Sequence, residues 1–289
     1  MSISTLFLMP TIAILLCINL FPFVYQLVLS LTDFRFGDRG LRFIGLSNYI
    51  AAFTQDPRFI HAVVVTVKFS LIAVTAELIL GFLLALLLDR ASRRWRDLLL
   101  PIFIIPMVLS PIVVGYLFQL MYSSQYGIIN YFLQSVGIHL PYSFISNTKT
   151  VLWALAAVDI WQWTPFAILV ILAGLQSLPM EPYEAARVDG ASPWQSIRFI
   201  TLPLLKSEVL VVLLLRLLES LKVFDIIYAL TAGGPGTATE SISLYLYRVN
   251  FKFLNMGYAA AMSIIVLIVA TCLARLFSKL VYLGATREE

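Results

Sequence analysis

The chain has 289 residues, of which 60% are hydrophobic and 12% charged, and its mean hydropathy is +0.91. So little charge cannot cover a soluble domain, and a polytopic membrane protein is expected. The formal net charge of +4 comes from scattered basic residues without an aromatic-interleaved basic stripe, so no nucleic-acid partner is expected.

A bilayer span needs about 20 mostly apolar residues. Six runs qualify in chain order: 5–32, 61–88, 98–122, 151–178, 202–230 and 257–283. The first and third carry no charge, the second carries Lys68 and Glu77, the fourth only Asp159, and the sixth Arg275 and Lys279 near its end. All should be helices, because backbone groups in lipid must be satisfied within the segment, and the alternating ten-residue strands of a barrel are absent. The first run lacks a basic n-region and a small-residue cleavage site, so it is expected to stay as a span rather than be removed as a signal peptide. Pro10, Pro22, Pro101, Pro106 and Pro111 fall within or at the start of spans. They read either as ordinary membrane-helix prolines or as breaks that bend helices around a path. Cys17 and Cys272 lie inside apolar runs and read as small packing residues. His61 and His139 are far apart without companion ligands, so no metal site is expected.

Charge counting leaves orientation open. Arg90, Arg93, Arg94 and Arg96 crowd the short loop after the second run and favour the cytoplasm there, with both termini on the same side. Arg35, Arg39, Arg42 and Arg58 in the first loop argue the other way, accompanied by Asp33, Asp38 and Asp56. With no short-period repeat and no low-complexity linker, residues 1–289 read as a single membrane domain.

The most informative stretch is 177–203. Pro182 suits a first helical turn, Glu184 adds a carboxylate where the helix favours one, and Gly190 is placed to end the helix in a left-handed conformation. Ser192 and Gln195 then have capping-box spacing, with Pro193 at the first helical position, and Leu202-Pro203 ends the second short helix. These signals predict a compact helix-turn-helix between two spans. Ala185 and Ala186 leave it a flat surface, and local signals alone allow either a self-contained interfacial hairpin or a docking element.

Glu184-Ala185-Ala186, Gly190 and Ile200-Thr201-Leu202-Pro203 resemble the EAA signature of permease subunits of ATP-binding-cassette importers. The resemblance implies an all-α, polytopic type I permease fold of six transmembrane helices. Its coupling loop, residues 177–203, would lie in the cytoplasm, and Glu184, Ala185, Ala186, Gly190, Ala191, Ile200, Leu202 and Pro203 would couple to an ATPase. Phe224-Asp225, Leu230-Thr231, Gly233-Gly234-Pro235-Gly236 and Gly257-Tyr258-Ala259-Ala260-Ala261 are similar to permeases that import sugars and glycerol phosphate, of the maltose-permease-like larger-subunit type in its short six-span form. The similarity runs from Asn48-Tyr49 to the last span. It implies a bacterial or archaeal cytoplasmic membrane location, a second homologous permease, two ATPase subunits and an extracytoplasmic binding protein. It further implies a sugar as cargo, with glycerol phosphate or an amino sugar as alternatives. This chain has no G-x-x-x-x-G-K-[ST] loop, so no cofactor is expected in it, and ATP and Mg would sit on the partner ATPases.

Asp159, Gln162, Trp163 and Phe166 recur at three and four residues and share a helix face, where carboxylate, amide and aromatic rings suit a sugar. By resemblance, Gln162, Trp163, Phe166, Glu219, Ser220 and Val223 line the translocation path; packing or an aromatic belt is the other reading for Trp161, Trp163 and Phe166. Arg216, Glu219, Lys222 and Asp225 alternate in sign at spacings of three and can pair along one helix. The turn-rich 232–236 stretch is expected outside, as a plain exit turn or as a surface for the binding protein. A rival class is an ion-coupled transporter using Glu77, Asp159, Glu219 and Asp225. A membrane-embedded enzyme, a second rival, would need a nucleophile with a base or a metal cluster, and the sequence offers neither pattern.

Overall fold

The structure, a computed structural model, describes residues 3–37, 40–137 and 143–285. Asp38, Arg39 and His139 lie outside the described residues. Its helices are α1 Ile3–Leu15, α2 Phe21–Ser30, α3 Ser47–Thr54, α4 Pro57–Arg90, α5 Arg93–Val108, α6 Pro111–Met121, α7 Ile128–Ser135, α8 Val151–Ser177, α9 Glu181–Val188, α10 Pro193–Ser196, α11 Leu202–Leu204, α12 Lys206–Leu221, α13 Asp225–Leu230, α14 Ile242–Tyr247 and α15 Met256–Ala285. Extended pairing among the described residues is one isolated bridge, Thr32 to Phe43. The chain divides into two compact units, Met1–His61 with Ser243–Thr271, and Ala62–Ile242 with Cys272–Glu289.

In the first unit a π-helical turn, Leu16–Leu20, joins α1 to α2, and nearly all side chains from Leu8 to Val28 face outward. The end of α2 is tied by side chains from α3. Asn48 Nδ2 donates to the carbonyls of Ser30 at 3.0 Å and Thr32 at 2.7 Å, satisfying acceptors that a helix end leaves open. The Tyr49 and Ser30 hydroxyls share a hydrogen bond of 2.7 Å. Gly257, at the start of α15, lies against the Thr32 carbonyl so closely that a Cβ there would collide with backbone. Asp56 closes the unit: its Oδ1 accepts from the N–H groups of Arg58 and Phe59, both at 3.0 Å, and so caps the start of α4. Its Oδ2 accepts from the hydroxyls of Tyr245 at 2.6 Å and Tyr258 at 2.7 Å. The Arg58 guanidinium lies 5.4 Å from the Tyr245 ring centre.

In the second unit small residues set the helix contacts. A Cβ on Gly81 of α4 would meet Ala167 of α8, and one on Gly115 of α6 would meet Ala229 of α13 at 2.6 Å. Without a hydrophobic drive between helices in lipid, such close approach supplies the packing. Ala85, Leu88, Ile168, Ile171, Leu205 and Val212 form a buried apolar cluster uniting α4, α8 and α12.

Four helical stretches among the described residues are long and apolar enough to cross a bilayer: Leu8–Ser30, Pro57–Arg90, Val151–Ser177 and Met256–Lys279. The expected third span is instead α5 and α6, bent by 94° at Leu109-Ser110, and counts as a fifth crossing only if the pair is one span. Ser110 is extended because Pro111 disfavours helix in the residue before it, and Pro106 weakens the last turn of α5. The expected fifth span, 202–230, is three helices, α11, α12 and α13, and none meets the span criterion. The chain leaves helix at Leu205, before the polar Lys206-Ser207-Glu208, and again at Lys222, beside an exposed ion pair. Among the described residues four uninterrupted helices, or five crossings with the bent pair, are long and apolar enough to span, so the count of six is not matched one for one. The 231–241 segment is a tight turn, with left-handed residues at Ala232, Gly233 and Gly236. The Thr239 hydroxyl bonds the Thr231 hydroxyl at 2.7 Å and the Gly234 carbonyl at 2.9 Å. Cys17 and Cys272 are free and exposed.

Candidate functional site

The loop between α8 and α12 forms the anticipated helix-turn-helix from local signals. Pro182 sits in the first turn of α9 beside Glu181 and Glu184. Gly190 takes φ +75°, which permits a two-bond helix stop. Ala191 N–H reaches the Ala186 carbonyl at 2.9 Å and Gly190 N–H the Arg187 carbonyl at 3.2 Å, the Schellman arrangement. Ser192 and Gln195 then make a reciprocal capping box, with Ser192 N–H donating to Gln195 Oε1 at 2.7 Å and Gln195 N–H to Ser192 Oγ at 3.3 Å. A π-helical turn, Ile197–Thr201, leads into Leu202-Pro203, and the two arms are fastened where the Tyr183 hydroxyl donates to Thr201 Oγ1 at 3.1 Å. Glu184, Ala185, Gly190, Leu202 and Pro203 are exposed, while Ala186, Ala191 and Ile200 are half-buried. Val188 and Trp194 of the same loop are also exposed.

A second constellation lies among α4, α8 and α12. The Arg216 guanidinium donates from Nε to Glu77 Oε2 at 2.6 Å, and from Nη2 to Glu77 Oε1 and Asp159 Oδ2, both at 2.9 Å. All three side chains are buried, and Trp163 covers the guanidinium with its ring centre 4.7 Å away. A buried ion cluster persists only when geometry and hydrogen bonds offset desolvation, and a two-pronged guanidinium–carboxylate pair supplies both. The expected ladder along one helix reduces to Lys222 with Glu219, an exposed pair at 2.9 Å, because Arg216 turns away to other helices.

Beside the cluster is a cavity of about 120 Å³ that brings together Asp159, Trp163, Glu219, Ser220 and Val223 with Lys222 and Asp225. The other two path candidates are elsewhere. Gln162 is fully buried and its Nε2 donates to the Leu109 carbonyl at 2.9 Å, meeting an acceptor freed by the break between α5 and α6. Phe166 packs against the apolar cluster. Trp161 stacks edge-on with Phe118, ring centres 5.2 Å apart. Glu77, read from the sequence only as a coupling group of an ion-coupled rival, is the residue that the path reading missed. A carboxylate inside an otherwise apolar run was the available signal, since such a group requires a partner in the bundle.

The family model for the binding-protein-dependent transport system inner membrane component matches residues 77–281. The chain is 41% identical to the trehalose/maltose transport system permease protein MalF of Thermococcus litoralis over 215 residues, 74% of this chain and 70% of that one. It is 33% identical to the lactose transport system permease protein LacF of Rhizobium radiobacter, covering 92% of this chain and 89% of that one. Among solved structures, a chain of a bacterial ABC transporter involved in the import of the acidic polysaccharide alginate superposes with a TM-score of 0.83 at 27% identity, covering 96% of this chain and 94% of that one. The loop, the buried cluster and the small cavity all fall within the matched residues, and the chain belongs to the inner-membrane permease components of binding-protein-dependent ABC transport systems.

Proposed function

We propose that this chain forms one wall of the path by which an oligosaccharide crosses the cytoplasmic membrane of a bacterium or archaeon. It works beside a second, homologous permease and two ATPase subunits that carry ATP and Mg, and an extracytoplasmic binding protein delivers the cargo. Both termini and the 177–203 loop face the cytoplasm. Glu184, Ala185 and Ala186 dock on an ATPase, and the rigid loop passes nucleotide-driven movement to α8 and α12, biasing the path between outward- and inward-open states. The observation that carries this reading is the similarity, over most of the chain, to permeases named for trehalose, maltose and lactose transport. The cavity itself supports a wall rather than an enclosure, because about 120 Å³ holds only a few water molecules. A neutral cargo is favoured over glycerol phosphate because both cations at the cavity, Arg216 and Lys222, already face carboxylates.

The test is uptake of labelled maltose, trehalose and lactose into vesicles containing the complex that co-purifies with this chain. Uptake that needs both ATP and the binding protein is the expected result. Uptake driven by an ion gradient with the chain purified alone would overturn it, and ATP-dependent uptake of glycerol phosphate in place of every sugar would overturn the cargo assignment. Glu184→Lys and Gly190→Pro should each uncouple ATP hydrolysis from uptake while the chain still inserts; normal transport by both would refute the loop's role.

A further inference from the structure

Between the loop and the last turns of α4 and α8 lies a groove of about 500 Å³, a volume in the range of small-molecule sites. Met180 at the N-cap of α9 and Tyr183 and Arg187 within it line the groove at spacings of three and four, so they share a helix face. Glu184 and Ala185 are exposed and do not line the groove, whereas Ala191 of the same motif does. Its floor is apolar, from Leu86, Leu175, Leu178 and Ile197. The hydroxyl hydrogens around it are already committed: Tyr183 donates to Thr201 at 3.1 Å, Thr201 to the Ser196 carbonyl at 3.4 Å, and Ser196 to the Ser192 carbonyl at 3.3 Å. The donors left are the guanidiniums of Arg90 and Arg187, both exposed and neither in an ion pair among the described residues. Asp89 is the one carboxylate on the lining, so two cations face one anion. The groove lies at the ends of two helices long and apolar enough to cross a bilayer, so a membrane that they span would bring its headgroups to this level.

We propose that this groove binds the phosphate headgroup of an anionic phospholipid. Arg90 and Arg187 hold the phosphate oxygens, and the glycerol and first acyl carbons lie on Leu86, Leu175 and Leu178. Guanidinium forks match phosphate geometry, and basic pockets at the cytoplasmic ends of helices suit anionic headgroups. The apolar floor commits the site to a lipid, because a free phosphate ion has no use for it. This assignment rests on the reading of the loop as cytoplasmic. A lipid so placed would restrain α9 against the end of α4 and make the coupling stroke sensitive to membrane composition.

The test is native mass spectrometry of the intact complex, released from vesicles of phosphatidylcholine mixed with phosphatidylglycerol and titrated with the latter. In the double variant Arg90→Gln/Arg187→Gln, phosphatidylglycerol binding should weaken by about tenfold or more. Arg90→Lys/Arg187→Lys, which keeps the charge but not the guanidinium forks, should bind more tightly than the Gln pair and less tightly than the native chain, which separates lost charge from lost folding. Arg94→Gln/Arg96→Gln, removing equal charge outside the groove, should leave it unchanged. Equal retention in all three double variants would overturn the proposal. So would displacement by inorganic phosphate at concentrations comparable to the lipid, which would mark a soluble phosphate site. Failure of the loop's coupling role reads out separately, as normal transport by both Glu184→Lys and Gly190→Pro.

Discussion

In the second unit, Glu77 and Asp159 share one guanidinium in a fully buried setting, and in the first, Asp56 is held by two tyrosine hydroxyls and two backbone N–H groups at the head of α4. Both arrangements tie distant stretches of chain to a carboxylate, but they respond differently to damage. A buried charge is tolerable only while its counter-charge is present, so the Arg216 cluster depends above all on the one cation that its two carboxylates share. Neutral donors each contribute a modest increment, and Asp56 keeps some of them when one is lost. The Arg216 cluster thus favours a single arrangement of α4, α8 and α12, whereas the Asp56 clamp gives graded support.

The sharpest way to break this contrast is Arg216→Met. It strands two carboxylates among apolar helices and should cost about 3–5 kcal/mol, seen as loss of monodisperse protein or a large fall in melting temperature in detergent. A stable variant would mean that the cluster is not holding the helices. A finer test compares the two carboxylates. Glu77 accepts two of the guanidinium's bonds and Asp159 one. Glu77→Gln should therefore destabilise more than Asp159→Asn, each within about 1–3 kcal/mol because the remaining pair stays charge-balanced. The reverse order would show that the two-pronged geometry carries no weight.

Reach along the chain explains which of these features could be read in advance. The 177–203 loop was legible because its determinants are neighbours: Gly190 stops one helix, and Ser192, Pro193 and Gln195 start the next. The bend at Leu109-Ser110 was legible only as an alternative. Pro106 and Pro111 permit it, yet Pro10, Pro101 and Pro165 sit inside helices without such a break. Gln162 supports the bent form by meeting the Leu109 carbonyl from another helix, which no local signal encodes. The Arg216 cluster was not legible. Its partners are 139 and 57 residues away, and the regular spacing of Glu219, Lys222 and Asp225 suggested pairing along the same helix. Likewise Asp56 reads from the sequence only as an acid of the first loop, and nothing near it announces Tyr245 and Tyr258.

Smaller effects are expected at the Asp56 clamp. Tyr245→Phe and Tyr258→Phe each remove one donor to Oδ2 and leave the other, so each should cost about 1 kcal/mol in thermal unfolding. A loss as large as that of Arg216→Met from either would erase the distinction between charged and neutral clamps.

The weakest effect is also the most specific, because it depends on pH. Burial raises the pKa of Asp56, but the hydroxyls of Tyr245 and Tyr258 and the N–H groups of Phe59 and Arg58 outweigh it and hold the carboxyl below its usual range. A folded-state pKa below the unfolded value of about 3.9 means that the unfolded chain binds the proton more readily. The stabilisation is therefore complete above that value and is lost as pH falls through the lower folded-state pKa. Removing both hydroxyls should return the carboxyl towards its usual range. The melting-temperature gap between the native chain and the Tyr245→Phe/Tyr258→Phe double variant should thus be constant near neutrality and shrink as pH drops below about 4. A gap that stays constant to pH 3 would mean that the tyrosines stabilise this unit through ring packing, and that the ionised carboxylate is not what they hold.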